Sequence, residues 1–445
     1  MRTTILTVLV AGVVLVAGCG GGGGGNSNVQ PDSTTESIAE PTPTPPGPVT
    51  TSRTTIQGTP AADLIDYLKY HASDRSREVK HRMPIWTRPP VVSVEASAEP
   101  EFHRLIAKAV DLINDWLPLE SRMVMGAPST VSPRAPRPGI DLYEGDTYWV
   151  EDVPDGVIYV LSMSYHPRYA GQARYNPHCT FEGPFRCTAG SALESVQVLI
   201  NADSDSTGQG TFGLIVHEFV HALGMQQHVT TQDCSTTITR VDCGPSPDEA
   251  SLERLYRLDG EALMALYSLY SNGPLPDDIN PASLGPWAAT IPTLHSEVTT
   301  DGGTARFGVE YRTQWTRAWD EGPVPTTPLA RSGLTGTATW DGTMVGYSDA
   351  GAAVEGDAGL TVDIASMNGT AAFTDLTASG ASWGPDLSTR IRVDGNYIQA
   401  TQGGAWVGFD AQFRGTGHEA VTGAFRWENA ATGNLTGAFG ARREE

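Results

Sequence analysis

Apolar positions recur at helical spacing through the first two thirds of the chain and alternate with polar ones in the last quarter. Leu64-Ile65-Asp66-Tyr67-Leu68 predicts a helix opening near Ala61, and Val91-Val92-Ser93-Val94 predicts a strand. Leu105, Ala109, Leu112 and Trp116 fall on one face of a long amphipathic helix over 101–117. Val157-Ile158-Tyr159-Val160-Leu161 and Val196-Gln197-Val198-Leu199-Ile200 predict two further strands. A polar stretch at 201–210 then leads into the apolar run Leu214 to Leu223, which predicts a helix ended by Gly224. Downstream, Leu252, Leu255 and Tyr256 predict a helix over 247–258, with Pro247 at its start. The Pro-, Thr- and Trp-rich stretch 287–328 marks a domain boundary. From Ser332 onward, Thr337-Ala338-Thr339-Trp340, Leu360-Thr361-Val362-Asp363-Ile364 and Trp406 to Phe413 alternate with period two, and Thr-Gly-Ala-Phe occurs twice, at 422–425 and 436–439. That pattern predicts an antiparallel sheet closed into a barrel. The fold class expected is therefore multidomain, an α+β module followed by an all-β barrel.

The chemistry concentrates on the helix before Gly224. His217 and His221 are four apart and share a helical face, so both imidazoles can reach one metal ion, and Glu218 between them can reach a water on that ion. Two nitrogen ligands and an adjacent carboxylate are the groups zinc-assisted hydrolysis uses. A third histidine, His228, follows the glycine.

His217-Glu218-x-x-His221-x-x-Gly224 resembles the signature of the metzincin zinc peptidases. The family's third-ligand position falls on Gln227, and the histidine comes one residue later. His228 is the expected third ligand, absorbed by a small bulge after the glycine, with the Gln227 carbonyl or Asp233 as alternatives. Glu261-Ala262-Leu263-Met264-Ala265-Leu266-Tyr267 resembles the family's Met-turn, with Met264 beneath the metal and Tyr267 a candidate for binding the tetrahedral intermediate. The resemblance implies one Zn2+ on His217, His221 and His228, Glu218 as general base, and a metalloendopeptidase acting on protein or peptide substrates.

Gly336-Thr337-Ala338-Thr339-Trp340, His418 to Phe425 and Gly437 to Arg443 resemble the C-terminal barrel of transferrin-binding-protein-B-like surface lipoproteins. This resemblance implies about eight strands, as small closed barrels have, and a possible protein ligand for the barrel. His418-Glu419 lacks a histidine four residues on and is expected at a turn between strands.

Met1-Arg2 precedes an apolar run over 5–17 that is too short to span a membrane and suits an export signal. Leu15-Val16-Ala17-Gly18-Cys19 resembles a bacterial lipobox, which implies lipidation of Cys19, membrane attachment and, with Gly20 in place of Asp, an outer-membrane or cell-surface destination. Residues 19–58 are Gly-, Pro- and Thr-rich and read as a tether. The other four cysteines form two close pairs, which suggests Cys179–Cys187 and Cys234–Cys243 disulfides, with other connectivities open. Asp203 and Asp205 suit a turn better than a calcium loop. The net charge is −22 and lysine occurs only at 69, 80 and 108, so no basic stripe exists for nucleic acid.

Four segments result: a signal over 1–18, the tether over 19–58, a metzincin-like module over 59–330 and a barrel over 331–445. The primary expectation is a lipid-anchored zinc endopeptidase. The alternative is a surface binding lipoprotein whose metzincin-like module is inactive and whose barrel carries the ligand.

Overall fold

The computed structural model describes residues 51–73, 82–129, 153–163, 171–175, 192–201, 211–229, 235–239, 247–249, 252, 254–271, 273–401, 405–429 and 433–444. Cys19, Cys179, Cys187, Cys234, Cys243, Asp203, Asp205 and Asp233 lie outside the described residues, as does the export signal. The chain runs β1 (Ser52–Gln57), α1 (Ala61–His71), β2 (Val91–Val94), α2 (Pro100–Asn114), β3 (Val124–Met125), β4 (Val157–Met163), β5 (Gly171–Tyr175), β6 (Ser195–Asn201), α3 (Thr211–Ala222) and α4 (Arg257–Leu269). It continues through β7 (Thr290–Thr300), β8 (Gly303–Tyr311) and β9 (Thr316–Glu321). The remaining strands are β10 (Thr337–Ser348), β11 (Ala353–Asp363), β12 (Asn368–Ala378), β13 (Ala381–Ser382), β14 (Leu387–Asp394), β15 (Tyr397–Ala400), β16 (Trp406–Arg414), β17 (Ala420–Trp427) and β18 (Leu435–Arg443). No helix among the described residues is long and apolar enough to cross a membrane.

The first module is a mixed sheet in the order β3-β2-β4-β6-β5, parallel except for β5, which runs antiparallel to β6 at the edge. All seven residues of β6 are buried, the signature of a strand covered on both faces. α2 buries Phe102, Ile106, Ala109, Val110 and Ile113 as one apolar stripe. Within the stretch expected as a helix over 247–258, Leu252 N–H donates to Asp248 O at 3.0 Å, one helical turn, and the helix α4 begins at Arg257. The Pro247 carbonyl accepts the Gly213 N–H at 2.9 Å, which ties this segment to the start of α3, while Leu252 and Leu255 still reach the core.

Two expectations about boundaries are corrected. β1 lies within the stretch read as tether, because its partner is β7, more than two hundred residues away. The Pro- and Trp-rich boundary is itself a sheet, ordered β1-β7-β8-β9 and antiparallel throughout.

The final strands close into an eight-stranded antiparallel barrel, ordered β11-β10-β18-β17-β16-β15-β14-β12, with β11 pairing β12 to complete the ring and β13 a short extension beside β12. Its interior is filled: Phe373 stacks on Phe425 with centroids 4.3 Å apart, and Trp340, Phe413 and Phe439 pack around them. The two Thr-Gly-Ala-Phe elements explain themselves here. Phe425 and Phe439 point into the barrel, whereas Ala424 and Ala438 point out against Leu294, Phe307 and Val309 of the second sheet. Strands that alternate in sequence are therefore buried on both faces along β17 and β18. His418 sits between β16 and β17 with φ 60°, its carbonyl accepting from Trp340 Nε1 at 2.9 Å, as a turn residue.

Candidate metal centre

α3 forms because Phe212, Leu214, Ile215, Val216, Phe219 and Val220 surround it with apolar contacts, so its histidines are built into the core and not added at a surface. The helix ends in a Schellman arrangement: Gly224 N–H donates to His221 O (2.8 Å) and Met225 N–H to Val220 O (3.4 Å). Gly224 has φ 107°, and a Cβ there would meet Pro84 O at 2.1 Å, so only glycine fits. The chain turns back across the helix and delivers His228.

The three imidazoles converge. His217 Nε2 lies 2.9 Å from His221 Nε2 and 3.0 Å from His228 Nε2. Their opposite nitrogens are taken: His217 Nδ1 donates to Ile238 O at 2.7 Å and His221 Nδ1 to Met225 O at 2.5 Å. With Nδ1 protonated, each neutral ring offers only a lone pair at Nε2. Lone pairs aimed at one another at this distance repel unless a cation lies between them. Zinc–nitrogen bonds of about 2.0–2.1 Å place tetrahedral nitrogens about 3.3 Å apart, close to the spacing here. The carbonyls behind the rings are the outer partners that metal-binding histidines usually have. The residues therefore fit a zinc ion, and these three form the only such ligand group among the described residues. Burial, then the neighbouring imidazoles, lowers their proton affinity; His217 is pushed down to about 4 and His221 lies well below the ordinary imidazole range. These two rings are thus held neutral, the form that binds metal.

Other expected residues sit differently. Glu218 is buried and is not part of the convergent group. β5 packs over it, so that a Cβ on Gly171 would lie 2.9 Å from its carboxyl, and a backbone hydrogen bond from Ala173 only partly offsets the burial that pushes it up to about 8. Met264 is mid-helix in α4 and buried, not in a turn. The Tyr267 hydroxyl donates to Leu223 O at 2.9 Å, so it braces the end of α3 and is not directed at a reacting group. Gln227 contributes its backbone N–H to His71 Nδ1 at 3.1 Å, and among the described residues it is His228 that joins the convergent group.

Residues with no motif to mark them also shape the site. His71, at the end of α1, is buried and driven down to about 3 by desolvation and by His228 and His217. Tyr70 donates to His228 O at 2.9 Å. Asp259 of α4 accepts the Ile238 N–H at 2.7 Å, on the residue whose carbonyl holds His217. Only the burial of α1 against this loop reveals them.

No family model and no curated protein matches the chain. Among solved structures it is similar to transferrin binding protein B from serogroup B Neisseria meningitidis (15% identity, TM-score 0.23, 34% of this chain and 36% of that one). It is similar also to transferrin binding protein B from Haemophilus parasuis (14%, 0.23, 34% and 35%) and to a surface lipoprotein (12%, 0.22, 32% and 76%). The chain spans about a third of the length of the transferrin-binding-protein-B structures. The likeness is one of fold, in the closed eight-stranded antiparallel barrel. The expectation of a zinc endopeptidase is corrected to this extent: the structures similar to this chain bear the names of transferrin binding proteins and of a surface lipoprotein, and the peptidase reading is not carried further.

Proposed function

We propose that this chain is an exported, lipid-anchored surface binding protein in which the barrel meets a protein ligand and His217, His221 and His228 hold a zinc ion that stiffens the first module. The single observation carrying the binding reading is that the barrel is filled inside and covered on one side. The second sheet packs on β10, β17, β18 and the start of β11, where Ala353 meets it and Glu355 pairs with Arg53, which leaves the outer face of β12, β14 and the Thr361–Asp363 end of β11 to solvent. That face is polar and laterally continuous: Thr361, Thr370 and Arg390 are successive cross-strand neighbours, as are Asp363, Asn368 and Arg392, and all are exposed. Pocket binding is not open to a barrel with a packed interior, so a partner would have to be a macromolecule that reads a strand face. The lipobox at Cys19 supports the anchored location.

The test is site-specific photo-crosslinking on intact cells, with a photoreactive residue placed at Thr361 or Thr370 and, as control, at exposed Thr304 on the second sheet. Discrete crosslinked protein species from 361 and 370 but not 304 support the reading. Absence of any species from the outer face overturns it. Zinc bound at one ion per chain, measured by elemental analysis, tests the metal half.

A further inference from the structure

The metal centre is described above by three histidines from α3 and the turn after it, yet two of those three are held by loops, and the loops are held by one distant helix. α1 presents Tyr67, Tyr70 and His71 within a single turn and a half, Tyr67 and His71 sharing a face with ring centroids 4.7 Å apart. The Tyr70 hydroxyl donates to His228 O (2.9 Å), and His71 Nδ1 accepts the N–H of Gln227, the residue immediately before the ligand (3.1 Å). The Tyr67 hydroxyl meets Thr237 Oγ1 (2.8 Å) and Thr239 Oγ1 (2.9 Å) and donates to Asp259. Those threonines flank Ile238, whose carbonyl holds His217 Nδ1 and whose N–H is held by Asp259. Val229 N–H donates to Thr239 O (3.1 Å), which ties the two loops together.

Resting on the zinc reading above, we propose that α1 is part of the metal centre: Tyr67, Tyr70 and His71 are positioning residues that set His217 and His228 at ligating distance. The placement of His228 makes such a brace necessary. It lies four residues beyond Gly224, outside α3, and no helical geometry aims it. Two contacts to consecutive residues, Gln227 and His228, fix both the position and the rotation of that backbone. His71 Nε2 is buried with no hydrogen-bond partner among the described residues, so the Gln227 contact is the one polar purpose its ring serves. An apolar residue would pack there without leaving a buried N–H unmatched.

The experiment uses the full chain. Zinc affinity is measured by chelator competition, and ligand geometry by the visible absorption of the cobalt-substituted protein, for Tyr70→Phe, His71→Leu and His71→Gln, with urea unfolding of each metal-free form alongside. Outer partners of metal ligands are worth about 10–100-fold in affinity. Tyr70→Phe and His71→Leu are expected to weaken zinc by that factor and alter the cobalt spectrum while the metal-free urea midpoint stays near the parent's. His71→Gln, which keeps an acceptor, is expected to recover most of the loss. Tyr70→Phe removes a single hydroxyl and carries the test if His71→Leu does not fold. Affinities within about twofold of the parent, with an unchanged cobalt spectrum, overturn the brace, since partners of this kind are worth more. So does a loss of affinity no larger than an accompanying loss of metal-free stability. A parent that takes up no zinc overturns the metal reading itself, and the brace with it.

Discussion

Phe307 of β8 lies so close to Gly440 of β18 that a Cβ added at 440 would sit 2.3 Å from its ring. The contact is where the four-stranded sheet meets the outside of the barrel, and it is why the closing strand carries Gly and Ala on its outer face. Replacing Gly440 with Val overfills this seam. The expected cost is about 1–3 kcal/mol, the usual range for overpacking a close-packed interior, read as a lowered urea midpoint. A midpoint equal to the parent's would show that the sheet rides loosely on the barrel.

Glu261 of α4 and Arg312, just after β8, join the first module to the four-stranded sheet. They pair at 3.0 Å while 1% and 2% exposed, Arg257 reaches the same carboxylate oxygen at 3.1 Å, and Thr59 N–H donates to the other oxygen at 2.9 Å. Arg312 also lies 3.9 Å from the centroid of Trp287. Glu261→Ala strands a buried guanidinium and is expected to destabilise by about 3–5 kcal/mol. The double variant Glu261→Met/Arg312→Met removes both charges and is expected to lose less. A single variant as stable as the parent would refute the pairing.

Asp111 on α2 faces the barrel, where Tyr397 Oη and Gln412 Nε2 approach its carboxyl at 3.3 Å and Asp410, Arg414 and Asp320 surround it. Desolvation first, then the Asp410 charge, raises it from 3.8 to about 7. Between those values the folded chain keeps a proton that the unfolded chain has released. This group's contribution to stability therefore falls as pH rises from about 4 to about 7, the linkage for a raised carboxyl. Asp111→Asn removes the titration. Its urea midpoint is expected to gain on the parent's between about pH 4 and about pH 7; parallel pH profiles for the two proteins would contradict the docking described.

Removal of zinc is the fourth. A ligand at a hundred times its dissociation constant stabilises by about 2.7 kcal/mol, so a chelator is expected to lower the thermal midpoint of the parent and leave His221→Ala unmoved. Equal responses in both would place the bound metal elsewhere.

Much of this was legible without coordinates. The histidines four apart, the glycine that turns the chain and the alternating strands of the barrel are all written in neighbours two to four residues distant, and backbone geometry alone converts such spacing into a shared face. The same local rules misled where the outcome rests on distant partners. The stretch 52–57 reads as tether, yet it pairs with β7; Glu261 to Tyr267 resembles a turn, yet it lies within α4.

The amino-acid order by itself determined which side chains could converge on a metal and which residues would face into a closed barrel. Tertiary structure alone decided that residues 52–57 leave the tether to pair with β7, that Glu218 is enclosed, and that α1 holds the loops of the metal centre. Periodicity is a property of adjacent turns and pleats, whereas burial and hydrogen-bond partners depend on segments up to two hundred residues apart, whose approach no local pattern records.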